Sequence, residues 1–187
     1  MSEQPKPNSK EALMHLQREV ENIITLLGYE VVAFELSTAG GKKLTLFIDF
    51  LNNNDDSRRI GLNDCLTVNK AVDELLETTT HLDGHYTLDV SSPGVERPLR
   101  RATDFARFSG RKARLHTFRP LEKGEVGNDA YWETHKRQKN FVGMLEGLAP
   151  SSNGENEKVK MNVDGQTVTV PLALISKAHL EFIEPSI

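Results

Sequence analysis

"LDVSSPGVERPLRR", Leu88 to Arg101, changes character within fourteen residues. Leu88 and Val90 alternate with Thr87 and Asp89, as on a strand with one covered face. Ser91-Ser92-Pro93-Gly94 then has turn chemistry: serines that bond nearby backbone, a proline that fixes φ and a glycine that tolerates positive φ. Arg97, Arg100 and Arg101 follow at once. An apolar strand that ends in a turn and continues as a cation-rich surface marks a boundary between two folding units.

Upstream of the turn, Ser9 can cap a helix in which Leu13, Leu16, Val20, Ile23, Ile24 and Leu27 recur at spacings of three and four before Gly28. VVAFELS and KKLTLFIDF form a predicted hairpin, with Val32, Phe34 and Leu36 on one face of the first strand and Leu44, Leu46, Ile48 and Phe50 on one face of the second. Asn63 can cap a second helix whose apolar stripe is Cys65, Val68, Val72, Leu75 and Leu76, and HYTLDV supplies a third strand. Residues 1–92 thus read as an N-terminal α/β domain, two helices on a three-stranded sheet.

Downstream, residues 93–110 read as a connecting turn and a short helix, DFARFSG, capped by Thr103, packed through Phe105 and Phe108 and stopped by Gly110. Residues 111–187 are β-like: RKARLHTF, NFVGMLEGL, KVKMNV, QTVTV and AHLEF, with a single helical turn in PLALI started by Pro171. Asp164-Gly165 between two alternating runs signals a tight hairpin. Five short strands predict a small closed barrel, because an open sheet of that size exposes its edges. Polar inserts interrupt the pattern near 118–139 and 150–157. The fold class is α+β.

The composition, 37% hydrophobic and 27% charged, is that of a water-soluble globular chain, and the single Cys65 admits no internal disulfide. No apolar run approaches the ~20 residues of a membrane span. The start, MSEQPKPNSK, is polar where a signal peptide is apolar, so the expected location is cytoplasmic, with no membrane contact. The net charge of −4 conceals an asymmetry: residues 1–90 carry 8 Lys and Arg against 15 Asp and Glu. From Arg97 to Arg119, eight basic residues face Asp104 alone. A polyanionic partner responds to that local potential rather than to the net charge.

Catalytic and metal-binding readings find little support. Ser91 and Ser92 lack the Gly-x-Ser-x-Gly setting of an activated nucleophile, and no phosphate-binding glycine loop occurs. His81 and His85 with Asp83 have the spacing of metal ligands on a helix, but Gly84 and the strand that follows argue against a helix there. His15, Asp49 and Asp89 have no evident catalytic partner. The expectation is no enzyme, no metal and no cofactor. Arg97, Arg100, Arg101, Arg107, Arg111 and Arg114, interleaved with Phe105, Phe108 and Phe118, are the candidate interaction residues, expected at the surface and suited to phosphate or carboxylate. Ser91, Ser92, Pro93 and Gly94 are the expected hinge between domains.

"LDVSSPGVERPL" resembles the signature of the bacterial ribosome maturation factor P family. "CLTVNKAVDELLE" before it, "RFSGRKARL" after it and the closing "VPLALISKAHLEF" extend the likeness along the chain. The resemblance implies an N-terminal α/β domain and a C-terminal SH3-like, Sm-like barrel. It also implies a monomeric, non-enzymatic factor for assembly of the small (30S) ribosomal subunit and processing of its RNA. The partner it implies is the free or immature subunit, including small-subunit protein twelve, met through the barrel domain. The segment from Phe118 to Lys139, with Tyr131 and Trp132, is longer than that likeness predicts. The alternative function is an Sm-like RNA-binding regulator acting on messenger or small RNA.

Overall fold

In the computed structural model, residues 9–38, 41–53, 58–78, 86–150 and 157–182 are described. The chain divides after Pro93 into two compact units, inside the Ser91–Gly94 turn, and each unit has its own hydrophobic core. The fold is α+β, as the sequence predicts.

The first unit runs α1 (Ser9–Leu26), β1 (Tyr29–Ser37), β2 (Lys42–Phe50), α2 (Leu62–Thr78) and β3 (Tyr86–Ser91). Leu16, Val20 and Ile24 of α1 and Val68, Val72 and Leu76 of α2 are buried, the three-to-four spacing of a helical stripe. They pack with Leu44, Leu46 and Ile48, alternate residues on one face of β2. Strand order is β1-β2-β3. β1 and β2 pair antiparallel, whereas β2 and β3 pair parallel, which needs a crossover, here supplied by α2.

Two expectations fail locally. The face predicted for Val32, Phe34 and Leu36 does not hold at Val32, because the β1–β2 register shifts between Val31 and Ala33. A bulge inserts one residue, so Tyr29 and Val31 join the core before it and Phe34 packs there after it. Nor does Asn63 cap α2, since it lies in the first turn. Asp64 reaches back instead and accepts the Gly61 N–H at 2.8 Å.

The same carboxylate accepts the Tyr29 hydroxyl at 2.7 Å, and Tyr29 stacks on Phe50 with ring centroids 5.4 Å apart. The hydrogen bond to Asp64, with burial, pushes the Tyr29 phenol up to about 12 from an ordinary 10.0. A pKa raised on folding stabilises below the unfolded value, and that contribution disappears as pH climbs from about 10 towards 12. Tyr29→Phe is therefore expected to cost about 1–2 kcal/mol at neutral pH and to flatten the alkaline fall in stability of the first unit. Urea midpoints at pH 8 and pH 11, read by reaction of the single thiol at Cys65, check this.

The second unit runs α3 (Ala102–Arg107), β4 (Lys112–Thr117), α4 (Lys123–Val126), α5 (Asp129–Thr134), β5 (Asn140–Ala149), β6 (Lys158–Val163), β7 (Gln166–Pro171), a 3-10 turn (Leu172–Leu174) and β8 (Ile175–Leu180). The sheet is antiparallel in the order β7-β6-β5-β4-β8. Val168 and Val170 of β7 and Ala178 and Leu180 of β8, at opposite ends of that order, lie in one core cluster, so the sheet curls round a common interior like a barrel. The hydrogen-bonded order does not close between β7 and β8; the 3-10 turn connects them. Asp164 (φ 51°) and Gly165 (φ 81°) make the tight β6–β7 turn with positive φ at both central positions.

Four predicted details change. Pro171 is the last residue of β7 as well as the N-cap of the 3-10 turn, so the turn itself starts at Leu172, and β8 begins at Ile175, ahead of the expected AHLEF. The 118–139 segment is not a polar excursion. Leu121, Val126 and Tyr131 belong to the barrel core, Thr169 Oγ1 donates to the Glu125 carbonyl at 2.7 Å, and the Trp132 indole N–H donates to the Leu121 carbonyl at 3.0 Å. Thr103 does not cap α3; it lies within the helix, and Asp104 performs the reach-back.

Candidate functional site

The basic stretch is held by two elements. Residues 97–99 run beside the free edge of β8: the Leu99 N–H donates to the Ala178 carbonyl and the Leu180 N–H to the Arg97 carbonyl, each at 2.9 Å, while Pro98 bridges His179. A proline suits this edge because its missing N–H is not needed there. Leu99 and Phe105 then enter the barrel core.

That pairing places Arg97 inward, and the expectation that all six arginines lie at the surface is corrected: Arg97 is 5% exposed. Its guanidinium stands 3.6 Å from Asp104 Oδ1 and 5.1 Å from the centre of the Phe108 ring, which the Arg107 guanidinium also meets at 4.9 Å. A buried arginine needs such company, because an isolated charge in the interior is costly. Asp104 Oδ2 in turn accepts the N–H groups of Arg100 and Arg101, each at 2.9 Å, and so caps α3. Arg100, Arg101 and Arg111 are exposed and Arg107 is half-buried.

Arg114 sits elsewhere, on the outward face of β4. Ala113, Leu115 and Thr117 point into the core, so Lys112, Arg114 and His116 point out. Glu181 Oε1 accepts the Arg114 Nε–H at 2.6 Å, and that bond holds the Glu181 carboxyl below its ordinary pKa. The His116 Nδ1 lies 2.6 Å from Asn140 Oδ1 on β5. The six arginines are therefore not one patch: Arg97 and Arg107 close round Phe108, Arg100 and Arg101 flank the start of α3, and Arg114 belongs to a sheet face.

Charge density alone selected the arginines and missed that face. The parity of RKARLHTF is the signal that could have found it, since it sends Lys112, Arg114, His116 and Phe118 to one side. Phe118, grouped by sequence with Phe105 and Phe108, is 67% exposed, whereas Phe105 is fully buried.

The other candidates that are described have local partners. Ser91 Oγ donates to the Ser92 carbonyl at 3.3 Å, and Gly94 has φ 72°, the backbone the Pro-Gly turn requires. Asp89 pairs with Lys43 at 2.6 Å, His15 with Glu19 at 3.4 Å, and Asp49 accepts the Phe50 N–H at 2.8 Å. Burial raises the Cys65 thiol, the reverse of nucleophilic activation. His81, Asp83 and His85 lie outside the described residues. Among the described residues no three His, Cys, Asp or Glu side chains gather as metal ligands, and no helix is long and apolar enough to cross a membrane.

Residues 19–96 match the family model described as the RimP N-terminal domain. The match spans the first unit from within α1 through the Ser91–Gly94 turn.

Proposed function

We infer from the match of residues 19–96 to the RimP N-terminal domain that the chain is a ribosome maturation factor of that family, and propose that it assists assembly of the small (30S) subunit by binding the free or immature particle. The family match carries this reading. The separation of charge supports it: a first unit rich in carboxylates, and a second in which Arg100, Arg101, Arg111 and Arg114 reach solvent. Those four, with the half-buried Arg107, are the proposed contacts to ribosomal RNA or protein, and small-subunit protein twelve is the proposed protein partner of the barrel unit. Arg97 acts behind them by fixing the start of α3. The role is stoichiometric and non-catalytic, exercised by a monomer in the cytoplasm, and the Ser91–Gly94 turn serves as the hinge between the units.

Sedimentation of the tagged chain with separated small subunits, large subunits and whole ribosomes tests this at two salt concentrations. The expected result is co-migration with free small subunits that survives moderate salt, because a specific site retains contacts that screening does not remove. Equal recovery on all three particles, lost together as salt rises, would refute it.

A further inference from the structure

The outward face of β4 continues across both neighbouring strands. In register, Arg114 stands opposite Val142 of β5 and His179 of β8, and His116 opposite Asn140 and Lys177. Lys112, Arg114 and Lys177 supply three permanent cations to this face, against Glu181, whose Oε1 accepts the Arg114 Nε–H and lies 3.9 Å from the His179 Nε2, with the Arg114 side chain still 48% exposed. His116 and His179 add two planar rings. At the end of the row Phe118, held by its N–H to the Leu174 carbonyl at 3.0 Å, presents a bare aromatic ring to solvent. The Lys139 ammonium donates to the Phe118 carbonyl at 3.1 Å, so a further cation lies at the backbone of this residue.

We propose that this face, from Lys112 to His116 on β4 with Phe118 just beyond the strand's end and Lys177 and His179 on β8, binds a single-stranded RNA segment. Side chains on one face of a strand recur about every 6.7 Å along it and about 4.8 Å across to the next strand. That grid lets lysines meet successive phosphates while rings meet successive bases. An acidic protein surface would use the cations equally well, but cation pairing alone leaves the exposed Phe118 ring and the His116 and His179 imidazoles of this face unused. Unpaired bases do, since they stack on aromatic rings and on arginine planes. Duplex RNA offers no free base faces and would meet only the cations. The inference rests on the assembly reading solely for which RNA supplies the strand.

Fluorescence anisotropy of the full chain with a labelled oligouridine of about 12 nucleotides tests it without ribosomes. Phe118→Ala is expected to weaken binding about tenfold, the scale of one lost base–aromatic stack. Phe118→Trp should restore it and Phe118→Leu should not, which separates stacking from bulk. Lys112→Gln with Lys177→Gln should lower the slope of log affinity against log salt by about 1.4. Phe118 is exposed, so an unchanged Trp132 unfolding midpoint certifies the fold of each variant. Wild-type affinity in Phe118→Ala overturns the proposal, as does equal affinity for a duplex of the same length or equal competition by polyglutamate. No binding to oligouridine by a chain that still co-sediments with small subunits overturns this proposal and leaves the assembly role standing.

Discussion

Replacing Gly143 by alanine is expected to destabilise the second unit by about 3 kcal/mol or more, at or above the upper end of the usual cost of overpacking. A Cβ at Gly143 would collide with the carbonyl oxygen of Asn162, and it would stand 2.8 Å from that carbonyl carbon and 3.2 Å from the Cα of Val163. All three atoms are backbone of β6, which no rotamer change can move aside. Relief therefore requires β5 and β6 to separate, in the interior of the order β7-β6-β5-β4-β8 and next to Leu145 and Met161 in the core. Trp132, the only tryptophan, lies in this unit, so its fluorescence in urea reports the loss directly. Gly124→Ala is the internal control, because a Cβ there meets nothing within 4 Å. Equal midpoints for the two variants would refute the argument.

The positions that sequence reading placed correctly share a property: their pattern is set by neighbours close in the chain. The alternation of Leu44, Leu46 and Ile48, the stripe of Val68, Val72 and Leu76 and the Asp164-Gly165 turn each follow from local periodicity or local φ, and each appears in the fold. The misplaced features depend on partners distant in sequence or on competition between near-equal local choices. The alternation of VVAFELS runs through Val32 without a break, and only pairing with β2 reveals the bulge. Asn63 and Thr103 are acceptable caps in isolation; Asp64 and Asp104, one residue further on, prevail because a carboxylate can serve the backbone and a second group together. Tyr131 and Trp132 lie in a run whose polarity suggested a loose insert, yet core contacts with strands far along the chain order it. For the candidate interface, the charge was legible and its division between a helix and a sheet face was not.

Arg97 is the sharpest instance, and it leads to the second large effect. Asp104→Ala is expected to destabilise the second unit by about 3–5 kcal/mol, because it removes the carboxylate beside a buried guanidinium. The variant also strips the Arg100 and Arg101 N–H groups of their acceptor at the start of α3. Arg97→Met should cost much less. It deletes the charge but retains an apolar stem beside Phe108, and Asp104 keeps its two backbone donors. The two side chains are 6% and 14% exposed, so solvent screens this pair weakly. The double variant should then be less damaged than the sum of the singles by about 1 kcal/mol or more, the coupling expected of residues in contact. Trp132 unfolding in the four proteins measures it. Strict additivity, or an Arg97→Met loss as large as that of Asp104→Ala, would return Arg97 to the exposed binding set. Coupling of the predicted sign would instead make the arginine of "VERPL" a fastening for the edge of β8 and for α3, with ligand contact left to Arg100, Arg101, Arg111 and the outward face of β4.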